Sequence, residues 1–479
     1  MALAALLSAQ PASYSVPLPK SEALRKTESP KNAAQTVRSA VQAIEGTNSN
    51  PLPAAEHSWA LWRSLNRLRT DDFIAKGQRA LFPDWLTWCD SKDAFGAKLV
   101  QACFPDHKNT LHFREDYWDK RFYRPKFGVS SPKKSSNNVV TATFTETIHV
   151  SPELARSIRN LLDPEGKCAL DSNGVPPGQS IIQCSIDKYG KQYVSDILKS
   201  EKLDKNSMVV KASWLHVSPG KDSSILGLNK WIGVESWKDL ALAGQPVDTW
   251  SSATWNNIMI PNNDWRSKMC GGTRGGSLDY KQFFYVQFCD EEMANHLQGA
   301  NTGDVLLLHG LHVMTNLQPD GNWTWSTFYW HPEADDVDDP VLSDRAKKIQ
   351  SARPNGMNGW LGNYRLDLQY SPKEEMKPDP LLVNALATHG ALKECEFGPD
   401  ENPKPPVMFN PYVEGRRPCG GYSNCMSCHS HARKPLTPPT GDGNINGLNL
   451  PVNRRLKDPK LIYSDAILTH FLWSLADPR

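Results

Sequence analysis

Two strongly apolar runs separated by a turn, Asp304 to Thr315 (DVLLLHGLHVMT) and Trp323 to His331 (WTWSTFYWH), limit what this chain can fold into more than anything else in it. β-Branched and aromatic residues dominate both runs, as they do in strands. Between them, Pro319-Asp320-Gly321-Asn322 carries the residue types that reverse a chain. The pair predicts an antiparallel hairpin within a central β core.

Other segments extend that core. Val139 to Ile148 alternates and is β-branched, Met208 to Val217 (MVVKASWLHV) reads as a strand, and so does Lys281 to Phe288 (KQFFYVQF). Ser180 to Ile186 (SIIQCSI) is expected to be a further strand. Helical spacing appears between His57 and Cys89, where Trp59, Trp62, Leu65 and Leu68 recur. Further helices are predicted over residues 192–201, 291–297, 342–351 and 373–388, and a last amphipathic one over about 458–475. The expected class is α+β: a central antiparallel β core with peripheral helices and a short, mainly helical or loop-like C-terminal region. The expected units are residues 1–52, an arm; 53–137, a helical region; 138–395, the β-rich core; and 396–479, the C-terminal region.

With 479 residues and 16 Trp, the chain has the length and aromatic content of a folded protein of more than one packed unit. A net charge of +2 argues against a nucleic-acid footprint, which needs a basic face. No stretch approaches the roughly 18 apolar residues of a spanning helix. Met1 to Ala12 (MALAALLSAQPA) is a short apolar run ending in small residues, and reads as the remnant of a secretory signal without its basic start.

Cys425-Met426-Ser427-Cys428-His429 has the C-x-x-C-H spacing of a c-type haem attachment site. Two thiols one helical turn apart add to the two vinyl groups, and the following imidazole becomes the proximal iron ligand. The alternatives are a redox dithiol, which would want a βαβ setting, and half of a zinc site completed by Cys419 and His431. A covalent haem implies an oxidising compartment. Eight further cysteines then read as up to four disulfides, and they fall into local couples: Cys89 with Cys103, Cys168 with Cys184, Cys270 with Cys289, and Cys395 with Cys419. For the sixth iron position the sequence offers His470, Met408, His309, His312 and His331, or leaves the position open. No Met follows Cys428.

Several segments occur together in order: Val210 to Trp214, Leu308 to Val313, Trp323 to His331, Asn363 to Asp367, Asn410 to Glu414 and Ser423 to His429. In this combination the chain resembles a group of bacterial mono-haem cytochrome c family proteins, over roughly residues 205 to 475. The resemblance implies a periplasmic or secreted protein with one covalent haem c. The group ends in a Thr-acid-Phe-Leu-Trp-Ser-Leu pattern. Here Thr469-His470-Phe471-Leu472-Trp473-Ser474-Leu475 has His instead of the acid, so a ligand role for His470 is not one that the resemblance implies.

On strand spacing, His309 and His312 are expected to point to opposite faces of the sheet. His312 and His331 lie on paired strands, and with Trp325, Tyr329 and Trp330 they are candidates to line a pocket above the haem. Arg365 is a candidate partner for a haem propionate, since guanidinium matches carboxylates. The acidic run Glu333 to Asp339 lacks the glycine and spacing of an EF-hand loop and reads as a solvated loop. The expected function is electron transfer in the periplasm with a redox partner protein. The alternative is a haem-dependent oxidoreductase, peroxidase- or oxygenase-like, with a substrate pocket between the β domain and an open haem face. Length favours the latter in part, because an electron shuttle needs only about 80 to 100 residues in one core.

Overall fold

The computed structural model describes residues 51–96, 129–130, 141–170, 179–218, 224–231, 250–260, 283–287, 301–316, 323–369, 410, 412, 429, 433–435 and 466–468, apart from short gaps within these ranges. The arm 1–50, the loop around residues 105–128, the helices expected over 291–297 and 373–388, and Cys425, Cys428, Met408 and His470 lie outside the described residues.

The chain is α+β. Seven strands form one antiparallel sheet: β1 (Cys89–Asp90), β2 (Thr141–Val150), β3 (Met208–Ser218), β4 (Tyr285–Gln287), β5 (Val305–Thr315), β6 (Thr324–Trp330) and β7 (Tyr364–Gln369). Their order is β7-β6-β5-β3-β2-β1, with β4 paired to the first part of β5. The expected hairpin is its centre, with Thr315 opposite Thr324 and Gly310 opposite Tyr329. Every residue of β5 and β6 is buried, which is why neither strand alternates cleanly between apolar and polar. The longer helices among the described residues are α1 (Leu52–Leu65), α2 (Pro152–Leu162), α3 (Ile181–Tyr189), α4 (Lys191–Ser200) and α5 (Asp344–Ser351). Among the described residues no helix is long and apolar enough to cross a membrane.

Helix α1 covers one face of the sheet. Pro51 caps it and Pro53 sits in its first turn, where a missing N–H is harmless. Trp62 stacks on Phe328 of β6 with centroids 4.4 Å apart, and Trp59 meets the same ring edge-on at 5.6 Å. The hydroxyls of Ser58 and Ser326 are 2.8 Å apart. The helix stops at Leu65 because Asn66 turns back, its side-chain amide donating to the Trp62 carbonyl while its oxygen accepts from the Trp85 indole. Leu68, expected as the next residue of the helical stripe, instead lies in a short strand, Leu68–Arg69. Residues of the expected helical region and of the β-rich core thus share one hydrophobic cluster.

A second cluster joins α2, α3 and α4 to the other face, where Val209, Met314, Trp323 and Trp325 are buried. One element here differs in kind from expectation: Ser180 to Ile186 is not a strand but the start of α3. The Ser180 hydroxyl accepts from the Gln183 N–H and caps the helix, Ile181, Ile182, Cys184 and Ser185 form its buried side, and Gly190 ends it at φ 89°. Cys184 is bonded to Cys168, with Cα atoms 6.0 Å apart.

Several strands were not expected. β7 follows a short helical turn, and Ser224–Trp231 and Trp250–Ile260 form a separate sheet with Val129–Ser130. Within the stretch expected as the last helix, Ala466–Leu468 is a strand paired with Arg433–Pro435.

Candidate functional site

Strand parity sorts the sheet into two faces. Ser326, Phe328 and Trp330 of β6 face α1, so Trp330, stacked on Phe283 at 4.2 Å, belongs to the core and not to a pocket. Trp325, Thr327 and Tyr329 face the other way. In register with them are Met314, His312 and Gly310 of β5, and Gln369, Asp367 and Arg365 of β7. Farther along the same face, Lys211 of β3 lies opposite His312 and forms an ion pair of 3.1 Å with Glu146 of β2. The middle of this face is therefore polar, although its α-helical end is apolar.

His429, the last residue of the C-x-x-C-H run, is the one member of that motif within the described residues. It is half-buried and sits on this face, with its ring against Trp325 at a centroid distance of 5.1 Å and 64° between the planes. Upstream, the same polypeptide is fastened to the face at Asn410 and Tyr412. The Asn410 amide donates to the Thr327 hydroxyl at 2.7 Å and to the Phe328 carbonyl at 3.1 Å. The Ser213 hydroxyl donates to the Tyr412 carbonyl, and the Tyr412 ring stacks on His309 at 4.7 Å, nearly parallel.

The contact with His309 overturns the expectation that His309 and His312 point apart. Between Leu308, opposite Trp214, and Gly310, opposite Ser213, the β3–β5 register shifts by one residue. A bulge of this kind re-aims a side chain, and it turns His309 onto the face that carries Ser213, His312 and Thr327. His309 is fully buried, and burial pushes it down to about 3, against a smaller upward pull from a backbone hydrogen bond with Ser213. It is a neutral ring stacked on another ring.

His331 does not converge with His312. It lies four residues beyond Thr327, about 13 Å along a strand, and its Nδ1 accepts from the Glu333 N–H at 3.1 Å. Arg365 is also at that end, with its side chain fully enclosed. Its guanidinium reaches Asp339 at 2.7 Å and donates to the carbonyls of Glu333 and Asp336. The acidic run is thus not simply a solvated loop. It is wound around a cation that the protein supplies itself.

Two thiols and an imidazole at this spacing are the donor set for a covalent haem c. Of that set the described residues place His429, half-buried with its ring against the buried Trp325. Trp325 and Asn410 were visible in the sequence as parts of the segments on which the resemblance rests. Lys211, Ser213 and Thr327 lie in those same segments, but their meeting with one another and with Glu146 was not legible, because single hydroxyls and ion pairs inside strands carry no local signal. Among known proteins, no family, no curated protein and no solved structure matches this chain.

Proposed function

We propose that this protein is a c-type cytochrome of the bacterial mono-haem group it resembles, carrying one haem c and exchanging electrons with a redox partner in the periplasm. Cys425 and Cys428 would form the two thioether bonds, and His429 would be the proximal ligand. When bound, such a haem supplies one-electron transfer at its iron. The observation that carries the reading is that His429 rests on the buried Trp325 while Asn410 and Tyr412 tie the preceding segment to the same face. The haem reading implies a C-terminal region docked on the β core and a compartment in which cysteines oxidise. His470 is the proposed candidate for the opposite iron position. Because the Arg365 guanidinium already meets Asp339, a propionate there would have to share it.

The side chains supply orientation and exclusion of water. Trp325 and Met314 form an apolar floor, whereas Asn410 and Ser213 hold the segment by hydrogen bonds. A second reading, a haem-dependent oxidoreductase, is favoured by one observation: the bulge adds His309 to a face that already bears His312 and the Lys211–Glu146 pair.

Replacing Cys425 and Cys428 together with Ser should abolish haem staining that survives denaturing electrophoresis. Stain retained by that variant would overturn the site. Optical spectra with and without carbon monoxide separate the two readings. A low-spin spectrum indifferent to the gas is expected for electron transfer, and ready binding would favour the oxidoreductase.

A further inference from the structure

We infer that Trp325 is the positioning residue of the proximal ligand: its indole sets the plane and place of the His429 imidazole. The inference rests on the haem reading of the motif and goes beyond it, because it assigns a role to a strand residue about a hundred positions away in sequence.

Trp325 is well suited to act as a wall. Only 2% of its surface is exposed, and it sits on β6, an interior strand hydrogen-bonded on both sides, opposite Met314 of β5 and Gln369 of β7. Val209, next along the ladder, and Trp323 back the same apolar cluster. A side chain held this way has little freedom of its own.

The contact itself is directional. At 5.1 Å and 64° it is an edge-to-face arrangement, the one that aromatic quadrupoles favour. An imidazole has only two side-chain torsions. Rotation about its outer torsion would drive a ring edge into the indole or open a gap beside it. The ring plane is therefore fixed as well as its position. Groups behind a metal ligand orient it and tune the metal, and here that role falls to an aromatic face.

The test uses the full-length holoprotein with Trp325→Phe, Trp325→Leu and Trp325→Ala. Covalent haem is measured on denaturing gels, the midpoint potential by spectroscopic titration, and the axial imidazole by electron paramagnetic resonance of the oxidised form. Trp325→Phe, which keeps a ring, should retain one set of signals close to those of the wild type. Trp325→Leu keeps apolar bulk without a ring, and should broaden or double the signals and move the redox equilibrium by about two- to tenfold, the worth of one aromatic contact. Trp325→Ala should do the same or more.

If Trp325→Ala does not fold, the comparison of Phe with Leu decides. Leu and Phe variants both indistinguishable from wild type, with haem attached, would overturn the inference and leave the haem reading intact. A wild-type protein without covalent haem would overturn both.

Discussion

At the scale of the residue, His309 shows how one inserted position changes what a strand presents. In a regular strand, residues three apart face opposite ways, and the sequence Leu308-His309-Gly310-Leu311-His312 carries no sign of a bulge beyond its glycine. The register shift seen between β3 and β5 was therefore not legible, whereas the strand itself was. Its consequence can be measured. The folded protein keeps His309 neutral down to about 3, while the unfolded chain takes up a proton near 6.5. Between those values the unfolded state binds more protons, so stability falls as pH falls. The loss approaches about 1.4 kcal/mol per pH unit from this one group. His57, lowered to about 4 by burial, adds a slope of the same sign. His309→Phe keeps a flat ring against Tyr412 and should weaken the acid dependence, leaving the part due to His57. Urea denaturation at pH 7, 6 and 5 reads this directly, and an unchanged slope would contradict the burial of an uncharged imidazole.

At the scale of the element, periodicity was informative where an element was long or one-sided. Trp59, Trp62 and Leu65 marked α1, and the stretches that became β2, β3, β5 and β6 were recognisable as strands. It misled at Ser180 to Ile186, because a short apolar run has no period that distinguishes a strand from a buried helix. There the Ser180 cap and the bond from Cys184 to Cys168 accompany the helix, and neither shows in β propensity. β7 is the opposite case. Tyr364, Leu366 and Leu368 alternate with Arg365 and Asp367 as a strand should, but within a segment too irregular to suggest one.

The attachment of α1 to the sheet has a predictable magnitude. Trp62 is fully buried against Phe328, Trp360 and Tyr364. Trp62→Ala should therefore destabilise the protein by about 3 to 5 kcal/mol. Chemical denaturation measures this, and a loss below about 1 kcal/mol, a typical surface effect, would show that α1 is not part of the cooperative core.

At the scale of the whole molecule, the central sheet was readable from sequence because its strands are apolar and its hairpin has a turn of suitable chemistry. The docking of the C-terminal segment was not, since it depends on hydrogen bonds such as Asn410 to Thr327 that join residues 83 positions apart. The same long reach governs α1: Ser58 meets Ser326 across 268 positions. A chain ending at residue 322 lacks the wall on which Trp59 and Trp62 rest. Such a fragment should show red-shifted tryptophan emission and rapid proteolysis within residues 52–65. A protected α1 in the fragment would mean that some other surface shelters it.

The position of α1 also has a consequence for synthesis. Chains emerge from the ribosome N-terminus first, at roughly 5 to 20 residues per second. The two indoles of α1 are therefore made well before Phe328 exists, and they wait through the synthesis of most of the chain that will cover them. During that interval they are a sticky surface with no partner of their own, the kind of segment a holding chaperone takes up. Helix α1 is among the last parts of this core to close.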